Sequence, residues 1–145
     1  MDVMDASIQH AKHLARELHH CSKRCVVQVA LKELGMPSSH EGFPLAKITV
    51  LILCENRFCK LDNGAYSSAG ALAEPSMDSD QVCRAISRSI QKAWAQRNQK
   101  IWRCYFPEGT PGCDQCPSNR DFLFGIVDFV ELWQDLCEEV DYAKQ

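Results

Sequence analysis

Six basic side chains, Arg84, Arg88, Lys92, Arg97, Lys100 and Arg103, fall between Gln81 and Pro107, a stretch without a single Asp or Glu. Phosphate is the natural partner of such a segment, because cationic side chains neutralise it and release its counterions. Arg84, Arg88 and Lys92 recur every four residues, so on a helix they share one face, with Gln81, Ser87 and Gln91 beside them. The opposite face of that helix would carry Val82, Ala85, Ile86, Ile90, Ala93 and Trp94. A guanidinium fork matches O6 and N7 of guanine in the major groove, and a carboxamide matches adenine. The expectation is recognition of double-stranded DNA. Gln81, Arg84, Ser87 and Arg88 would face bases, and Lys92, Arg97, Lys100 and Arg103 phosphates. The formal net charge is −3, and outside the basic segment ten basic residues stand against nineteen acidic ones. A basic segment in an otherwise acidic chain is a directional signal, whereas a merely solvated helix face usually mixes the signs.

Thiols are the second candidate chemistry, since the chain has nine cysteines. Cys113 and Cys116 form a C-x-x-C in a loop rich in Gly and Pro, with Cys104 nine residues earlier. Thiolates offered by a tight turn suit zinc, which makes Cys104, Cys113 and Cys116 the candidates for a structural metal. Cys137, His19, His20, Cys21 or Cys25 would then supply a fourth ligand. A second knuckle is missing, so the reading is reduced thiols with no metal and no cofactor. An odd cysteine count and an N-terminus without an apolar signal region disfavour a disulfide scaffold and lead to the expectation of a cytoplasmic protein. No apolar run reaches the roughly 18–20 residues that cross a bilayer, so no membrane partner is expected. The histidines form no triad pattern, and His10 and His13 read as solvent-facing. Without a Gly-rich phosphate loop or paired catalytic carboxylates, no enzyme is expected.

These side chains need elements to hold them. Residues 2–34 contain no Gly or Pro, and their apolar residues recur at helical spacing, which predicts two helices or one bent one. Gly35 would cap the end and Pro37 forbid continuation. Pro44 suits a first helical turn. The run from Ala46 to Phe58, with seven apolar or β-branched residues in succession, fits either a buried strand or a buried helix; with no second strand to pair it, it reads as a helix. "LDNGAY" reads as a turn, residues 67–74 as a short small-residue helix, and "PSMD" as a tight connection. Asp78 answered by Gln81 forms a capping box for the basic helix. The segment "YFPEGTPGCDQCP" reads as an irregular loop, and Ser118 answered by Asp121 opens the last helix. Trp94, Trp102 and Trp133 read as core or interface residues. The last helix ends among Asp128, Glu131, Asp135, Glu138, Glu139 and Asp141, a solvated acidic run. The class is all-α with five to six helices. A short helix, a tight turn and a capped amphipathic helix make residues 66–95 a candidate helix-turn-helix.

"HEGF", "SDQVCRAISRSIQKAW" and "PSNRDFLFGIVDFV", in that order and spacing, resemble the C-terminal effector domain of the master response regulator of sporulation. The resemblance spans roughly residues 26–133. It implies an all-helical domain with a helix-turn-helix that binds a promoter box, as a homodimer through its last helix. On that basis residues 26–145 form the effector-like domain and residues 1–25 a helical N-terminal extension that leaves no room for a phosphoacceptor receiver, so phosphorelay control is expected to be absent. The resemblance also implies base-reading residues. Arg84 retains one of them, Cys83 stands where a Glu is usual, and Gln81 and Ser87 stand where Arg is usual. A bidentate base contact is worth about 1–3 kcal/mol of discrimination, so two losses would alter the target. The competing expectation is a protein-interaction module that keeps the fold, has lost base reading and pairs with a full-length relative.

Overall fold

The computed structural model describes residues 3–143, with the side chains of residues 6–140. The side chain of Asp141, named in the acidic run above, lies outside the described residues. Among the described residues there are seven α-helices and no strand. They are α1 (Val3–Leu18), α2 (Lys23–Glu33), α3 (Gly42–Glu55), α4 (Tyr66–Leu72), α5 (Ser79–Ala95), α6 (Gln99–Tyr105) and α7 (Asn119–Ala143). This is an all-α chain with one or two helices more than the spacing predicted.

The ambiguous apolar run is helical and forms α3, the hub of the core. Its Leu45, Ala46, Val50 and Leu53 are buried, and it packs against α2, α4, α5 and α7. A helix surrounded by helices needs no alternation of polar residues, which is why its sequence looks strand-like. Buried Thr49 satisfies its hydroxyl by donating to the Leu45 carbonyl at 2.7 Å. Before it, α2 ends in a Schellman turn. Gly35 has φ +89°, its N–H donates to Lys32 O, and the Met36 N–H donates to Leu31 O. The α1 helix buries Ala11, Leu14 and Ala15, and packs along α7 and against α6.

"LDNGAY" is not a turn: Leu61–Ala65 is a π-helical segment, closed by the Ala65 N–H donating to Lys60 O at 2.8 Å, and it runs straight into α4. The wide turn lets the chain enter α4 without a break, and Asn-Gly in the sequence mimics a hairpin signal. His10 is not solvent-facing either. Its Nε2 lies 2.7 Å from Glu33 Oε2, and its ring packs edge-on against Tyr105 and against Phe129. The Tyr105 hydroxyl donates to the same Glu33 oxygen at 2.8 Å, so one carboxylate joins α1, α2 and α6.

The α6 to α7 side of the core is aromatic. Trp102 is fully buried, stacks on Phe106 and donates from Nε1 to Gly112 O at 2.7 Å, which anchors the irregular loop. Trp133 is buried and Trp94 half-buried, edge-on to Trp102. Along α7 the buried stripe is Phe122, Leu123, Ile126, Val127, Phe129, Val130 and Trp133. Its acidic side is not wholly solvated: Asp128 and Glu131 both hold Arg57, at 2.6 and 3.1 Å.

Candidate nucleic-acid interface

The α5 helix begins where the sequence places it. The Asp78 carboxylate accepts the Gln81 N–H at 2.8 Å, and the Gln81 side-chain oxygen accepts the Asp78 N–H at 2.9 Å. That closed capping box satisfies two N-terminal amides and fixes the first turn. Val82, Ala85, Ile86, Ser89, Ile90 and Ala93 are buried, while Gln81, Arg84, Arg88, Gln91, Lys92 and Ala95 are exposed along the opposite side. This outward stripe is the basic face read from the spacing.

A short helix supports α5 from below. The α4 helix packs against it across the connection 73–78, which contains a cis Glu74–Pro75 bond. The Met77 N–H donates to Gly70 O at 2.9 Å, and a Cβ built at Gly70 would lie 2.1 Å from Met77 O. Only glycine fits there, so the connection can fold tightly onto α4. The Ser79 hydroxyl donates to Asp62 O, which ties the start of α5 to the π segment. A third support comes from α7. Asn119 Nδ2 donates to Cys83 O at 3.0 Å and to the Tyr66 hydroxyl at 3.2 Å, joining α4, α5 and α7 at one point. Burial pushes Tyr66 up to about 12, so its hydroxyl stays protonated at neutral pH.

The eight sequence-predicted residues are not equivalent. Arg84 is exposed; its Nε reaches back only to Asp80 O, at 3.4 Å. Gln81 is exposed, but its carbonyl oxygen is committed to the cap, which leaves the amide NH2 outward. Ser87 is half-buried at the edge of the stripe. Arg88 donates to Glu41 Oε1 at 3.0 Å, a pair in which both side chains are about half exposed. Lys92, Lys100 and Arg103 are exposed. Arg97 is folded inward: its guanidinium lies 3.5 Å over the Trp94 ring, Nη1 donates to Trp94 O at 2.7 Å and Nε to Gln99. It therefore closes the C-terminus of α5.

Cys83 is half-buried against Asn119, with the Asn119 amide 3.6 Å from its sulfur. It faces the α4–α7 junction and not the basic stripe. Sequence reasoning missed Glu41, His40 and Asn119, because each reaches α5 from more than thirty residues away and has no local signature.

The thiols are dispersed. Cys113 is buried, Cys104 half-buried and Cys116 exposed. Among the described residues no three His, Cys, Asp or Glu side chains gather as a metal site requires. Burial pushes the thiols of Cys104, Cys113 and Cys116 up, which favours the protonated form over the thiolate a metal needs. Among the described residues no helix is long and apolar enough to cross a membrane. Set against known protein families, curated proteins and solved structures, the chain matches none of them.

Proposed function

We propose that the chain is a DNA-binding transcriptional regulator in which α4, the 73–78 connection and α5 act as a helix-turn-helix, in the manner of the sporulation-regulator effector domain it resembles. One observation carries this reading: a capped helix of 17 residues whose outward side is Gln81, Arg84, Arg88, Gln91 and Lys92, with no acidic residue of its own beyond Asp80. In a major groove the N-terminal residues of such a helix reach base edges. Arg84 is the principal base reader, Gln81 contributes amide protons, and Arg88 and Ser87 lie further along. Lys92, Lys100 and Arg103 hold phosphates, while Arg97 shapes the end of the helix. The bound form is a homodimer on the duplex.

Selection from a random duplex library tests the reading. The wild type is expected to enrich a motif. Arg84→Ala is expected to lose about 1–3 kcal/mol of discrimination at one position, with the fold unchanged by circular dichroism. A library that returns no enrichment with either protein would contradict base reading.

A second reading, a protein-interaction module without base specificity, draws on two apolar side chains left in solvent, Phe58 at 94% exposure and Leu72 at 68%. Under that reading Phe58→Ser would abolish association with a partner protein and Arg84→Ala would not.

A further inference from the structure

Glu41 stands on the basic face although it belongs to another element. It precedes α3, and its carboxylate lies 3.0 Å from Arg88 Nη2, 47 positions further along the chain. Three contacts seat the backbone on either side of it. Gly42 lies so close to α5 that a Cβ there would be 2.1 Å from Ser89 Oγ and 2.4 Å from Ala85 O. The Gly42 N–H donates to His40 Nδ1 at 3.2 Å, and the Ser89 hydroxyl, 2.5 Å from the same nitrogen, shares its one in-plane lone pair. Ser89 is fully buried, so this junction is part of the core and the 40–42 backbone is seated on α5. A negative charge is thereby held beside Arg88, and it comes from outside the helix that carries that arginine.

We infer that Glu41 sets the ratio of specific to non-specific DNA binding. The inference rests on the proposed function. A duplex presents phosphates at every position, so a carboxylate on the docking face opposes every register of generic, charge-driven association. It also occupies one donor of Arg88 and leaves the remaining guanidinium protons to be satisfied by a base edge in the correct register. A device that disfavours wrong partners raises selectivity by weakening the competitor, not by adding contacts to the target. This suits a chain whose reading helix has no acidic residue of its own after Asp80.

The test compares dissociation constants of wild type, Glu41→Gln and Glu41→Lys for two probes at one low salt concentration: a random-sequence duplex, and the motif enriched by the wild type. Glu41 is exposed, so circular dichroism and melting of the variants should match the wild type. Glu41→Gln is expected to bind the random duplex roughly three- to five-fold tighter, the size of one unit charge removed near a phosphate in water. Glu41→Lys is expected to bind it tighter still, and the enriched motif should gain less in both, so the selectivity ratio falls. Equal gains on both probes, or no change on either, would overturn the role of Glu41 and leave the DNA-binding reading standing. Wild-type protein that binds neither probe would overturn that reading, and this inference with it.

Discussion

Glu33 receives His10 from α1 and Tyr105 from α6, so a single carboxylate decides how firmly three helices are joined. Burial pushes its pKa up, but the hydrogen bonds from His10 and Tyr105 outweigh that and leave it below the ordinary value of 4.5. A carboxyl whose folded value lies below its unfolded value stabilises the protein above about pH 4.5 and loses that contribution as pH falls through the folded value. Urea midpoints measured from pH 7 down to about pH 3 should therefore fall more steeply for wild type than for Glu33→Gln. At pH 7 the substitution should cost about 1–2 kcal/mol, the size of a partly buried charge-assisted hydrogen bond. Parallel curves would show that the cluster does not couple α1 to the core. None of this was legible in the sequence, where His10 looked like one polar residue on a helix and Glu33 like another. The same holds for Arg97, whose spacing matched a phosphate contact while its geometry is decided by the Trp94 ring. Side-chain type and spacing reveal a face; they do not reveal which of its members are already engaged by residues from elsewhere in the chain.

At the scale of elements, the features that depend on neighbours in sequence were legible. The capping box at Asp78, the Schellman glycine at Gly35 and the apolar stripe of α5 each follow from residues within one or two turns. Asp78→Ala removes the acceptor for the Gln81 N–H and is expected to cost about 1 kcal/mol of stability, while Asp78→Asn should cost only a few tenths. Equilibrium unfolding checks both. Loss of affinity for duplex should follow Asp78→Ala but not Asp78→Asn, because the cap fixes the turn that carries Arg84. What escaped the sequence were α6 and the π segment. The seven residues of α6 depend for their helicity on Trp102 being buried under Phe106 and Phe122, since isolated helices of that length are unstable. The π segment escaped because Asn63-Gly64 carries a turn signal that the continuation into α4 overrides. The strand-like run of α3 was resolved only by elimination, and its packing explains why: it is covered by helices on several sides.

For the whole molecule, the acidic remainder and the basic α5–α6 segment are separated in role. Part of the acidic surface is internally paired, as with Arg57 on Asp128 and Glu131, while among the described residues no carboxylate pairs with Lys92, Lys100 or Arg103. Opposite ends of a charge distribution orient a protein on a polyanion and set how its affinity responds to salt. Under the proposed function these three cations face phosphates, which predicts a slope of about −2.7 in log affinity against log salt, or roughly a 40-fold loss between about 50 and 200 mM. Fluorescence anisotropy of a labelled random-sequence duplex, titrated with the purified protein at those two salt concentrations, is the most direct check. Binding is expected at the lower salt, weakened by about that factor at the higher. No binding at either, or an affinity indifferent to salt, would contradict it.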